Sequence, residues 1–326
     1  MRKYNLSELL SYTADVIVGQ RKALDVKSAQ PVGPKDDLSS FSQLIQLSLF
    51  MLVALLLAEY IGKLVGSMAG LKRGKLKRFA STFSELVYYT FSVFCLSKIC
   101  WSSKWFWPSG WSEVMYDGRV QNIPDLEAYT VPADLKCFYL FETSYYFSSF
   151  MLLLVRKKKK DFLQMAFHHI VTSLLLLLSY STGYIRIGAV VMILHNVFDP
   201  FMLVAKCTHY MNVPLVPDIA FACCTITFAV SRLYYYPLSI YFAWIGVCTG
   251  NTTCPGGVWD KTPVEFSLIG LLAALLPVHL IWFKMILKVL QSALLQAGVK
   301  GDVRSDSEDE DEPAHSKEHT KVKKRQ

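Results

Sequence analysis

Seven stretches of about twenty apolar residues are distributed along this 326-residue chain. That is roughly the length a helix needs to cross ~30 Å of hydrocarbon, so the blocks constrain the fold more than any other feature. They are predicted at Gln43–Val65, Phe83–Cys100, Asp134–Val155, Asp161–Ser181, Tyr184–Cys207, Val216–Tyr236 and Val264–Leu290. The sixth leaves two readings open, because apolar residues continue past Pro237 to Cys248. It is either a long kinked helix or a span followed by an interfacial or re-entrant piece. Hydrophobic residues make up 52% of the chain and mean hydropathy is +0.30, above the range for a soluble domain. The expected fold class is therefore all-α, a polytopic membrane protein of about seven transmembrane helices.

The net charge of +8 comes from 34 Lys and Arg against 26 acids, mostly in short clusters between apolar blocks. Such clusters read as topology, because cytosolic flanks retain basic residues, and no nucleic-acid partner is expected. Lys72, Arg73, Lys75, Lys77 and Arg78 follow the first span, Arg156 to Lys160 the third, and Lys206 closes the fifth. The N-terminus is then expected in the lumen and the C-terminus in the cytosol. Asn5 and Asn251 begin glycosylation sequons on the predicted outer side. The tryptophans 101, 105, 107 and 111 follow span two, as expected at a membrane interface.

Four segments are expected: a lumenal arm (1–42), a first span with a basic cytosolic loop (43–77), a six-span domain (78–290) and an acidic cytosolic tail (291–326). No apolar stretch lies near the start, so the first span is expected to do the targeting. In the tail, Ser305 and Ser307 precede a run of acids that suits an acidophilic kinase, and the run cannot bury a core. The final Lys323-Lys324-Arg325-Gln326 looks like a dilysine retrieval signal, which points to the endoplasmic reticulum. The eight cysteines contain no CxxC pair, which argues against a zinc ribbon. Cys248 and Cys254 flank a polar lumenal loop and are expected to form a disulfide.

Chemistry concentrates in two neighbouring spans. Span four carries His168 and His169, and span five carries His195, Asn196 and Asp199. An Asp at a helix centre costs about 2.5–3.5 kcal/mol on insertion scales, so these residues need a reason. His168 lies seven residues, roughly 10 Å, inside the cytosolic edge, and so does Asp199 on the antiparallel neighbour. The two are expected at one level, with His195 four residues deeper on the Asp199 face. The plain alternative is a polar clamp between helices, but three histidines and a carboxylate exceed what a clamp needs. No bound metal or other cofactor is expected, since adjacent positions diverge by about 100° and make His168 and His169 poor joint ligands. A neutral imidazole can take a proton or attack an acyl carbon, with a carboxylate to orient it.

Phe-His-His-Ile-Val-Thr in span four resembles part of the Lag1 motif of ceramide synthases within the TLC domain. So does the run from Arg186-x-Gly188 through Leu194-His195 to Asp199, Lys206 and Tyr210. The match is most specific over Phe162–Tyr210, and the domain as a whole would cover about Arg78 to Leu290. The resemblance implies N-acylation of a sphingoid base from fatty acyl-CoA as co-substrate. It makes His168, His169 and Asp199 essential to catalysis, with His195 and Asn196 beside them in the motif, and Arg186, Lys206 and Tyr210 are candidates for substrate binding. Arg232 is a further substrate-binding candidate, and Lys157 and Lys158 join it because their charge can attract the phosphates of coenzyme A to the mouth of span four. The expected partners are a membrane sphingoid base and acyl-CoA, with room for a homodimer or an accessory membrane subunit. One departure stands out: the usual pattern is His-Asp-x-x-Asp, and here the first Asp is Asn196. The alternative function is a TLC-domain protein that binds, senses or moves lipid without catalysis. Relatives of that kind commonly lack the paired histidines.

Overall fold

The computed structural model describes residues 41–111, 133–156, 158, 161–181, 184–245 and 263–295. Asn5, Asn251, Cys248, Cys254, Ser305, Ser307 and Lys157 lie outside the described residues, as do the N-terminal arm and the acidic tail. The described chain forms α1 (Phe41–Met68), α2 (Arg73–Cys100), α3 (Ala133–Val155), α4 (Phe162–Ser181), α5 (Ile185–Asn196), α6 (Asp199–Tyr210), α7 (Val216–Phe228), a π-helical segment (Ala229–Tyr235), α8 (Tyr236–Ile245) and α9 (Pro263–Leu295). Seven runs of helix are long and apolar enough to cross a membrane, and each overlaps one of the seven predicted blocks.

Two boundaries differ from expectation. α2 begins at Arg73, ten residues before the predicted Phe83, so most of the basic stretch is helix and the turn after α1 is short. Lys and Arg are good helix formers, and their long side chains can reach water from a helical backbone. Residues 216–245 settle the sixth block as one long helix with a π-helical middle, in which each turn takes an extra residue.

Lipid gives helices no hydrophobic reason to associate, so close approach and interhelical hydrogen bonds must hold the bundle. Gly62 of α1 lies against the Ala80 backbone of α2, where an added Cβ would come within 3.0 Å of it. Ser84 Oγ donates to Leu55 O at 3.1 Å, and Ser148 Oγ donates to Ser48 O at 2.6 Å, which ties α1 to both α2 and α3. α1 is peripheral, with 22% of its apolar window buried, whereas the α5–α6 span reaches 50%. α5 packs on α2, α4, α6, α8 and the π segment, so the motif-bearing helix sits at the centre.

That central span is itself broken. Helix stops at Asn196 and resumes at Asp199. Pro200 is the cause: it has no N–H for the carbonyl of Asn196, and its ring crowds that carbonyl. The carbonyl of neighbouring His195 accepts from a side chain, as described next.

Candidate functional site

His195 is 4% exposed, and its ring bonds in two directions. Nδ1 donates to the Val191 carbonyl one turn back at 2.8 Å, and Nε2 lies 3.0 Å from His279 Nε2 on α9. A carbonyl only accepts, so the proton of neutral His195 sits on Nδ1, and His279 must donate to the bare Nε2. Tyr236, fully buried at the start of α8, stands edge-on to both rings at 4.9 and 4.8 Å between centroids. His168 is next, 6.0 Å from the His195 ring and 5.1 Å from Trp282. His169 stands 5.8 Å from His168, with Tyr146 touching both. All three motif histidines are thus brought together, with a fourth that the sequence reading missed.

The carboxylate half is arranged differently from expectation. Asp199 is paired with Arg232 of the π segment at 3.2 Å. The same Nη2 donates to the His195 carbonyl at 2.7 Å, beside the Pro200 break. Arg232 is 4% exposed and its guanidinium lies 4.5 Å over the Phe198 ring and 5.1 Å from that of Phe228. The π register is what turns this side chain inward, and one cation thereby holds both pieces of the broken span.

Asn196 points the other way, toward α2 and α3. Its Nδ2 donates to Glu142 Oε1 at 3.0 Å and lies 2.9 Å from Ser92 Oγ, while Ser92 Oγ donates to the same Glu142 oxygen. Glu142 and Ser92 are fully buried. Glu142 therefore places a carboxylate against the very position where the motif's usual Asp is missing. Both Glu142 and His279 are ionisable residues inside apolar spans. The cost argument that picked out His168 would have found them had it been applied to every span.

Several buried polar atoms at this centre have no hydrogen-bond partner within the protein: Nδ1 of His168, His169 and His279, Nε of Arg232, Nε1 of Trp282, Oε2 of Glu142 and Oδ1 of Asn196. Natural cores leave few such atoms, so seven in one cluster mark a place built to meet a polar ligand or water.

A narrow apolar cavity of about 50 Å³ opens between α3, α4, α5 and α9 and has His195 in its wall. From His195 it follows α5 past Val191 and Gly188 to Tyr184, eleven residues or roughly 16 Å along the helix. Tyr184 donates to Glu265 Oε1 at 2.9 Å there. Halfway along, Tyr139 OH and Ser179 Oγ are hydrogen-bonded at 3.0 Å, and Gly188 leaves the room that the Tyr139 hydroxyl occupies.

The remaining motif residues are dispersed. Arg186 lies at the start of α5, over the Trp105 ring at 5.8 Å, at the opposite end of the span from Lys206. Tyr210 is buried against Phe79 and Cys207. Lys158 is exposed with its Nζ 4.9 Å over the Phe162 ring, at the entry to α4.

A bundle of membrane-spanning helices agrees with what comparison finds. The TLC domain profile shared by TRAM, LAG1 and CLN8 proteins matches residues 78–288, about two thirds of the sequence, and the chain belongs to the TLC-domain family. It is 34% identical over 145 residues to the Alternaria stem canker resistance protein 1 of Solanum lycopersicum, covering 41% of this chain and 44% of that one. Ceramide synthase 1 LOH3 of Arabidopsis thaliana is 32% identical over 141 residues, with the same coverages. Human ceramide synthase 5 is 29% identical over 243 residues, 73% of this chain and 56% of that one. The matched region spans about half the length of these relatives.

Proposed function

We propose that the chain is an acyl-CoA-dependent sphingoid base N-acyltransferase, forming (dihydro)ceramide in the endoplasmic reticulum membrane. The observation that carries this reading is one apolar cavity that reaches His195, a member of the buried histidine cluster. A fatty acyl chain lies in the cavity and presents its thioester carbon to His195. The amine of the base attacks that carbon, the C–N bond forms and the C–S bond breaks. The proton lost by nitrogen passes through the imidazole cluster to the leaving thiolate, a transfer worth roughly 10²–10⁴ in rate. In this reading the end bearing Lys72, Arg156, Lys158 and Lys206 faces the cytosol, where the coenzyme A phosphates meet basic side chains. Lys157 and Lys158 attract them to the mouth of span four.

The test is direct. The purified full-length chain in lipid nanodiscs is supplied with labelled acyl-CoA and a sphingoid base, and the amide is measured by mass spectrometry. Amide should form, and His168→Ala or His169→Ala should abolish it while insertion and expression stay normal. A preparation that binds both lipids and forms no amide would instead make the protein a lipid carrier or sensor.

A further inference from the structure

The proton count of the proposed reaction leaves one base unassigned. An alkyl amine is an ammonium near neutral pH, since its pKa lies close to the ~10.4 of a lysine. Converting R–NH₃⁺ and a thioester into an amide and a thiol releases two protons from nitrogen. One goes to the thiolate through the histidines, and the other must leave before attack, because an ammonium has no lone pair.

Glu142 is placed for that second task. Its residue is fully buried, with Oε1 engaged by Ser92 and Asn196, the Tyr88 hydroxyl close to the carboxyl, and Oε2 meeting no donor at hydrogen-bond geometry. On α3 it falls three residues after Tyr139 and four before Tyr146, one face of the helix, and both tyrosines line the cavity. The Tyr146 ring is also in contact with His168 and His169. Aromatic faces attract an ammonium, and a carboxylate beside them completes a cation site. Asn196 cannot ionise, so Glu142 is the ionisable acid of this network.

We infer that Glu142 is a catalytic residue that receives the acceptor ammonium at Oε2 and takes its first proton, a role that rests on the acyltransferase reading. The proton moves from nitrogen to Oε2 and the freed lone pair attacks the thioester carbon. After the thiol leaves, Glu142 returns its proton to solvent, which is the net proton the reaction releases.

The experiment compares wild type with Glu142→Gln, an isosteric change that keeps an acceptor oxygen toward Ser92. The assay uses the full-length chain in nanodiscs, from pH 6.5 to 9.5, with two acceptors. One is a sphingoid base; the other is its analogue with a trifluoromethyl group on the amine-bearing carbon, which is neutral near pH 7. Glu142→Gln should lose activity on the natural base at neutral pH and regain on the order of tenfold per pH unit as free amine appears. On the fluorinated analogue it should stay near wild type. Loss that is uniform across pH and across both acceptors would make Glu142 a structural residue and overturn the assignment, as would an unaffected variant. If wild type itself acylates neither amine, the acyltransferase reading falls rather than the role of Glu142 within it.

Discussion

His195 and His279 stand with their Nε2 atoms 3.0 Å apart, joined across the core from α5 to α9. With Nδ1 of His195 fixed on Val191 O, the pair has one sensible neutral arrangement, in which His279 is the donor. His279→Leu removes that donor and should reduce turnover by about 10²-fold, the lower range for a lost proton-transfer partner. His279→Gln keeps an N–H within reach and should retain markedly more activity. Steady-state kinetics on the two variants at equal expression decide this, and equal losses in both would assign His279 to packing alone.

The Arg232 and Asp199 pair should matter to stability before it matters to rate. Breaking a buried ion pair from one side costs about 3–5 kcal/mol, because it strands the other charge. Arg232→Met should therefore lower the Tm in detergent strongly, and the double variant Arg232→Met with Asp199→Leu should recover much of the loss. Thermal unfolding of the three proteins checks the order, and a double variant no better than the single one would show that Arg232 acts through the His195 carbonyl instead.

Gly188 is required by the shape of the cavity rather than by its backbone. A Cβ at this position would run into the Tyr139 hydroxyl and strain the Tyr139–Ser179 bond. Overpacking of this kind typically costs 1–3 kcal/mol, so Gly188→Ala should lower use of the longer acyl chains by about tenfold. Adding Tyr139→Phe removes the atom in the way and should restore part of it. The measurement is the acyl-length profile of product, and a profile indifferent to both changes would place the chain elsewhere.

Asn196 gives the sharpest contrast with the motif it departs from. Asn196→Asp would set two carboxylates about 3.0 Å apart, where the pair holds a proton and cannot both ionise. Activity should fall. Combined with Glu142→Gln, the same change moves the charge from α3 to α5 and keeps an amide facing a carboxylate, so the double variant should exceed Glu142→Gln alone. If Asn196→Asp is more active than wild type, the network tolerates a second charge and Glu142 is not the acid it contains.

Much of this architecture is legible along the chain because lipid imposes a simple rule. A backbone in hydrocarbon must satisfy itself, so each long apolar block has to be a helix, and counting blocks gives the bundle. The same rule makes every buried ionisable residue conspicuous, which is why His168, His169, His195 and Asp199 stand out before any coordinates are known. Alternating topology also makes the consecutive spans α4 and α5 antiparallel neighbours, and they do pack together.

What periodicity cannot supply is the partner of each side chain across the bundle. The break at Asn196 is written in Pro200, yet the group that bonds the neighbouring His195 carbonyl comes from Arg232, 37 residues away, turned inward by a π-helical register with no sequence signature. Sequence alone pairs Asp199 with a histidine by depth, whereas packing gives it Arg232. It leaves Asn196 as a missing charge, whereas packing seats a carboxylate 54 residues upstream directly against it. One-dimensional spacing fixes how deep a residue lies in the membrane. Which faces of seven helices meet is decided by interhelical fit, and only that fit joined Glu142, Asn196, His195 and His279 into one site.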